Sequence, residues 1–597
     1  MADQNCQALT LDFIAVEDDA EMIAVEDEIR RDLKEIGVTV NTRFLSREDY
    51  IEAELNGDYN MLFTRTWGAP YDPHSYFNSW AVPSHVEYTA IDTLEAPLSR
   101  ELLLKKIENV QKELDEMQIQ AQWREILNDV HQQAIFLPLW GSRIPYVINR
   151  RLTGFTPSDQ AFTYPLTSIR ISSGSANVTI APGSGGSLFT SVGPLNPHQY
   201  FPNQIFASDW IYEGLVNYGQ DGEIVPSLAS EWTTERTAEG QRVIFQLREG
   251  VKFHDGSDWN CTVAKLNFDH IFSDTVRERH SSFGATANLK SWTCNQNGEF
   301  VLETSAPFYP LLQELTYSRP FVFASASSFA AGIDSDPETQ NSCESGDFGS
   351  KWDYLEEFVT CLGLSAPIGT GPFKFADREY LPGTNETMDA KVTFARHEDY
   401  WGGLPAIEFL EIIHFEDTDA VEAALFDGQL DMVLGSGPLS AKQVQNIKFV
   451  HSDKFDVRHS AVLQNALVVL NSGKAPTDDI QTRQAIIHAV NKAIFIEDEF
   501  AGLEQAVSQL LPLTAPYSNV DLNPKWNYDL EKARFLNCPA DMNGSSEDSL
   551  SGGAIGGIVA AILVVLAMAV FLGRLILREK QGKPMFAPEK IRKGEQA

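Results

Sequence analysis

The sequence predicts an α/β protein with more than one lobe, followed by a single apolar helix near the C-terminus. Three observations carry this. Strand-like and helix-like segments alternate along the chain. Its 597 residues exceed what one hydrophobic core organises. Residues 552–573, "GGAIGGIVAAILVVLAMAVFLG", hold no charge.

The alternation starts early. Residues 22–36 place Met22, Ile29, Leu33 and Ile36 on one helical stripe. "VTVNTRFL" (38–45) reads as a strand, "SREDYIEAEL" (46–55) as a capped helix, and "YNMLFTR" (59–65) as a buried strand. Residues 98–133 read as helical, and 187–330 as short strands and turns mixed with helices. Residues 404–440 read as strand, helix, strand, and 480–500 and 526–537 as helices. Gly/Ser-rich stretches at 172–187 and 543–553 read as connectors. No internal repeat is evident.

After the strand 59–65 comes "RTWGAPYDPH" (65–74). Gly68, Pro70 and Pro73 stop both strand and helix, so Trp67 and Tyr71 sit on a stiff loop at a strand end. Such a loop either folds back on the core or lines a ligand cleft, as strand-end loops of α/β folds do.

Hydrophobic residues at 43% and aromatics at 11% suffice for globular cores. A formal charge of −37 repels a polyanion and argues against nucleic acid as a partner. The uncharged run of 22 residues reaches about 33 Å as a helix, enough for a bilayer. Asp541, Glu547 and Asp548 precede it; Arg574, Arg578, Lys580, Lys583, Lys590, Arg592 and Lys593 follow. By the positive-inside rule this predicts a single-pass membrane protein with a cytosolic tail (574–597) and an extracellular, periplasmic or luminal N-terminal region. The glycine pairs Gly552/Gly556 and Gly553/Gly557 fit a helix-pairing face. "MADQNCQALT" carries no export signal, so the span serves as a signal anchor or the start lies upstream.

Sequons for glycosylation occur at Asn177, Asn260, Asn385 and Asn543. Cys6, Cys261, Cys294, Cys343, Cys361 and Cys538 form no CxxC or Cys/His group, which favours disulfides over zinc. HExxH, GxSxG, P-loop and GxGxxG patterns do not occur, so no enzyme is expected.

Several stretches have a familiar look: "VGPLNPHQYFPNQ" (192–204), "FQLREGVKFHDG" (245–256), "APIGTGPF" (366–373), "YWGGLPAI" (400–407), "LNSGKAPT" (470–477), "AVNK" (489–492) and "YDLEKAR" (528–534). They resemble the peptide/nickel family of extracellular solute-binding proteins of ABC-type importers. "RTWGAPYDPH" and "VPSH" (82–85) are most similar to its nickel-binding type. The resemblance covers nearly all of residues 1–540, apart from insertions such as 331–360. It implies the two-lobed periplasmic-binding-protein-like fold of the large, peptide/nickel-binding type.

The order of the segments is exchanged. In the family, the part like 187–538 comes first and the part like 8–170 second. The chain therefore resembles a circular permutant, the alternative being a tandem array with a truncated first copy. Permutation is tolerated where termini lie close on the surface. Residues 1–150 and 459–540 then build one split lobe and 151–458 the continuous lobe, followed by a linker (541–551), the span (552–573) and the tail. On this resemblance Cys6 would pair with Cys538 across the cut, leaving Cys261–Cys294 and Cys343–Cys361 as local bridges.

The family's cleft lies between the lobes. Carried over by local motif, its ligand-binding positions are Trp67, Tyr71, Arg319 and Tyr200, with His85 as the metal ligand. Phe283 and Ile205 stand where the nickel-binding type has a tryptophan and a methionine. Arg319 can clamp a carboxylate in a bidentate fork. Trp67 and Tyr71 offer flat walls with an N–H and an O–H, and imidazole suits nickel. The implied function is capture of a small ligand for transport, most readily Ni²⁺ wrapped in a small chelate, with an oligopeptide as the alternative. No obligatory cofactor is implied, and the expected partner is an ABC-type permease or another transporter.

Overall fold

Leu11, Phe13 and Ala15 face one way along the first strand, and Ile14 and Val16 the other. That period of two is what a strand buried on both faces requires. The computed structural model describes residues 9–537, except 18, 185–186, 199–203, 220–221, 274–275, 278–279, 282, 330–365 and 385–386.

The first part of the chain contains β1 (Thr10–Val16), α1 (Ala20–Lys34), β2 (Thr39–Leu45), α2 (Arg47–Leu55) and β3 (Met61–Arg65). Next come α3 (His74–Ser79), α4 (Val86–Ala90), α5 (Arg100–Gln111), α6 (Glu116–Gln132) and β4 (Phe136–Asn149). Asp19, Ser46, Ser99 and Asp115 cap α1, α2, α5 and α6, each accepting a backbone N–H three residues on.

The middle part contains β5 (Asn177–Ser184), α7 (Ile205–Ile211), β6 (Ala229–Arg236), β7 (Gln241–Leu247), α8 (Cys261–Ile271), β8 (Leu289–Cys294) and β9 (Phe300–Thr304). Then follow β10 (Phe373–Tyr380), β11 (Asp389–Arg396), β12 (Phe409–Ile413), α9 (Thr418–Phe426), β13 (Met432–Leu434), α10 (Ala441–Val450) and β14 (Phe455–Leu470). The last helices used below are α11 (Ile480–Ala489) and α12 (Leu530–Asn537).

One sheet runs in the order β10-β11-β12-β5-β13-β4-β14-β3-β1-β2. Its backbone is the antiparallel pair β4–β14, in register from Phe455 opposite Asn149 to Val469 opposite Phe136. The register shifts between His459 and Val462 and again between Val462 and Gln464. A second, antiparallel sheet of order β6-β7-β9-β8 stands apart.

The head and tail of the described chain share their cores. Leu11, Phe13 and Ala15 of β1 pack with Val25, Ile29 and Leu33 of α1, Val468 of β14, Ile486 of α11 and Ala533 of α12. On the other sheet face Ile14, Leu62, Leu467 and Val469 pack with Ile107 of α5 and Trp123 of α6. Polar groups follow the same pattern. The buried Asn60 amide donates to Thr477 Oγ1 at 3.0 Å, and Asn537 Nδ2 donates to the Ile36 carbonyl at 2.7 Å.

The helix expected over 98–133 is two helices, because Asp115 caps a new start. The one expected over 480–500 breaks at Asn491, which begins Lys492–Phe500. A disulfide joins Cys261, at the start of α8, to Cys294, at the end of β8. Cys6, Cys343, Cys361 and Cys538 lie outside the described residues, as do Asn385 and Asn543. Asn177 opens β5, while Asn260 caps α8: its oxygen accepts the Val263 N–H and its amide donates to Asp258 O. Residues 552–573 also lie outside the described residues, among which no helix is long and apolar enough to cross a membrane.

Candidate functional site

The loop 66–73 is held on every side. Thr66 N–H donates to Asn465 O at 3.0 Å, and Ala161 N–H to Ala69 O at 3.0 Å. Gly68 has φ +84°, and a Cβ there would lie 2.8 Å from Ala161 Cβ and 2.9 Å from Leu463 O, so only glycine fits. Asp72 closes the loop by accepting the Gly68 N–H at 3.2 Å. Burial pushes its carboxyl up to about 7, against hydrogen bonds from Thr66 and from the backbone at Gly68 and Trp67.

This frame presents Trp67 and Tyr71. Tyr71 is buried in an aromatic cluster with Phe283 and Tyr317, and half-buried Trp67 packs against that cluster. The Tyr71 and Tyr317 rings are 4.3 Å apart, and those of Tyr71 and Phe283 6.3 Å. Trp67 also lies 5.7 Å from the His85 ring, centroid to centroid. His85 precedes α4, and its side chain makes no cap. Burial holds its imidazole below the ordinary range, which keeps it neutral, as a metal ligand must be.

Arg319, two residues after Tyr317 of the aromatic cluster, is 7% exposed. Burial pushes the Tyr71 phenol up to about 12, while Arg319 pulls it down and Asp209 raises it further. Both charges therefore act on the same ring. Ser318 Oγ donates to Asp209 Oδ1 at 3.4 Å, which ties the 317–320 turn to α7.

The two sides also touch directly. Gln313 Nε2 donates to the Pro70 carbonyl at 2.6 Å, and Trp123 Nε1 to Tyr309 Oη at 2.7 Å. His74 Nε2 lies 2.9 Å from Tyr317 Oη and 3.4 Å from Glu314 Oε1, all three side chains fully buried. His74 thus serves this contact. His198 is a core residue paired with His270, Nδ1 to Nδ1 at 2.6 Å.

Of the expected site residues, Trp67 lies beside both Tyr71 and His85, and Arg319 is close enough to Tyr71 to act on its phenol; Tyr200 lies outside the described residues. Among the described residues no group of three His, Cys, Asp or Glu could hold a metal ion. A metal here would take its remaining ligands from a chelator. Sequence reasoning missed Asp209, whose only signal is a lone acid in the apolar segment "IFASDWI".

The fold is α/β, with Trp67, Tyr71 and His85 gathered within residues 65–85 and Arg319 near enough to Tyr71 to act on its phenol. The family described as bacterial extracellular solute-binding proteins, family 5 (middle), matches residues 223–553, and the chain belongs to that family. It is 31% identical over 346 residues to the nickel-binding periplasmic protein of Escherichia coli, covering 58% of each chain. It is 27% identical over 335 residues to heme-binding protein A of Haemophilus influenzae, covering 55% of this chain and 56% of that one. A glutathione-binding protein of Pectobacterium atrosepticum matches at 25% over 354 residues, 59% of each chain. The chain thus spans under two thirds of the length of these relatives. Among solved structures, NikA from Brucella suis in complex with Fe(III)-EDTA is 29% identical, with a TM-score of 0.48 over 60% of this chain and 63% of that one.

The single-pass membrane location expected from the sequence is corrected. The matched Escherichia coli relative is named a periplasmic protein, and no described helix is able to span a bilayer. The apolar composition of 552–573 alone does not establish a span.

Proposed function

We propose that this protein captures a small ligand, a nickel chelate in the first instance, in the cleft between residues 65–85 and the 205–213/317–320 side. The carrying observation is that the Trp67 ring lies 5.7 Å from that of a neutral His85 and packs against the Tyr71 cluster, on whose phenol the Arg319 charge acts. Arg319 takes a carboxylate of the chelator, Trp67 and Tyr71 cover its faces, and His85 supplies a single imidazole to nickel. One protein ligand leaves the metal releasable. Tyr200 belongs to this set by motif. An ABC-type permease is the receiving partner, and no chemical step is involved.

The reading includes a permuted chain whose lobes meet near 150 and 459, with closure at the irregular stretch of β4–β14. It is supported by the shared cores of residues 11–63 and 466–533. Matches limited to about three fifths of both chains are also what exchanged segments produce in a collinear comparison. A short peptide is the second reading, favoured by the acid Asp209 beside Tyr71.

Isothermal titration of the purified chain tests the function. Nickel with L-histidine or citrate should give saturable heat, and His85→Ala should weaken it. Heat from di- and tripeptides alone would reject the nickel reading.

A further inference from the structure

On α7, Phe206, Ala207, Ser208, Trp210 and Ile211 are buried, whereas Ile205 and Asp209 are half-buried. These two are four residues apart and share one helix face. Phe206, Ala207, Trp210 and Ile211 join the core, so the remaining face turns toward Ser318 and Tyr71.

Glu213, four residues further on, makes an instructive contrast. It accepts from Tyr400 Oη at 2.9 Å and from Trp401 Nε1 and Thr370 Oγ1 at 2.8 Å each. Asp209 accepts one hydrogen bond among the described residues, the 3.4 Å contact from Ser318, and makes no ion pair there. A carboxylate so poorly supplied, bonded to Ser318, the neighbour of Arg319, and close enough to Tyr71 to act on its phenol, as Arg319 also does, lacks donors that a ligand can bring.

We propose that Asp209 receives an amine of the ligand, as an ammonium or as the N–H of a metal-bound amine, while Arg319 takes its carboxylate. The cleft then selects small ligands carrying both groups, amino-acid chelates of nickel or short peptides, over polycarboxylates. This rests on the cleft being the ligand site proposed above. A second carboxylate of a citrate-like chelate would meet Asp209 as a like charge, whereas an amine N–H supplies what its oxygens lack. Burial and Glu213 raise this carboxyl to about 7 against the Ser318 hydrogen bond, so in neutral solution it is only about half ionised and an arriving amine favours its charged form.

The test is titration calorimetry on the full chain and its Asp209→Asn variant, with fold checked by circular dichroism. Four probes are compared: nickel with L-histidine, nickel with citrate, a dipeptide, and the same dipeptide N-acetylated. The wild type should favour nickel–histidine over nickel–citrate, or dipeptide over its acetylated form, by about ten-fold or more. Which pair shows the preference tells chelate from peptide. Asp209→Asn should cut that ratio by about ten-fold. A ratio the variant leaves unchanged, or a wild type preferring citrate and the acetylated peptide, overturns the assignment while leaving the cleft a binding site. No heat from any probe with the wild type removes the binding function itself, and Asp209's role with it.

Discussion

The two walls of the proposed cleft are built on different physics. The wall of residues 65–85 is aromatic, local in sequence, and locked by backbone hydrogen bonds around Gly68. The opposite wall is charged and assembled from residues over a hundred positions apart, Asp209 on α7 and Arg319 in the turn after Tyr317. Apolar surface attracts a flat ligand with little regard to its charge, whereas opposed charges discriminate. The aromatic wall should therefore act on all ligands alike, and the charged wall decide which ligands bind.

The largest effect expected is from Arg319→Ala. It should lower affinity for every carboxylate ligand by about a hundred-fold, since a buried charged hydrogen-bonding partner is lost. Trp67→Ala should weaken all ligands alike, by about ten-fold. Calorimetry across ligands with and without a carboxylate checks both. Equal scaling of all ligands by both substitutions would break the contrast between the walls.

Next in size is a backbone test of the aromatic wall. Gly68→Ala should destabilise the fold by about 2 kcal/mol or more, because strain at φ +84° adds to overlap with Ala161, Gln464 and Leu463. Gly37 has φ +80° but nothing within 4 Å, so Gly37→Ala should cost only about 1 kcal/mol. Thermal denaturation of the two variants separates strain from crowding. A similar loss in both would mean that the loop is not tightly packed.

The same contrast explains what could be read from the sequence. The β1–α1–β2–α2–β3 run was legible because strand alternation and the caps Asp19 and Ser46 are local signals. The long strand β4 was not, since Pro138, Gly141 and Pro145 interrupt "FLPLWGSRIPYVIN" and read as breaks. They are accommodated where β4 pairs irregularly with β14. Trp67, Tyr71, His85 and Arg319 stood in recognisable motifs. Asp209 did not, because a single acid on a short helix looks like a solvated face until tertiary structure sets Ser318 and Tyr71 beside it. The membrane reading of 552–573 failed for a related reason: apolar composition and flanking charge say nothing of what surrounds a segment.

A smaller effect separates metal from chelator. His85→Ala should weaken nickel chelates by about ten-fold and leave metal-free peptides unaffected. Burial lowers the His85 pKa, so protons compete with nickel only below the ordinary imidazole range. In the Asp209→Asn variant, which removes the carboxyl that titrates near 7, nickel–histidine affinity should accordingly hold from pH 7.5 to about 6.5 and fall below that. Peptide titrations that respond equally to His85→Ala would show that this imidazole belongs to the general wall.

The smallest effect concerns the proton economy of the two walls without ligand. Asp72, in the aromatic wall's loop, is raised from 3.8 to about 7, so the folded state keeps a proton that the unfolded chain releases. Its stabilising contribution is complete below about pH 4 and is lost as pH rises through about 7. Between pH 8 and 6.5, acidification should therefore add about 1 kcal/mol of stability through Asp72, an increment that Asp72→Asn abolishes. Asp209 is raised likewise to about 7 and adds to the same slope. Below pH 6.5 buried histidines of lowered pKa, such as His198 at about 4, oppose it, which is why the window stops there. An amine-bearing ligand should hold Asp209 ionised and remove its share, leaving that of Asp72 in place. Thermal melts of wild type and Asp72→Asn at the two pH values, with and without nickel–histidine, read this directly. A slope insensitive to ligand would place Asp209 outside the binding site.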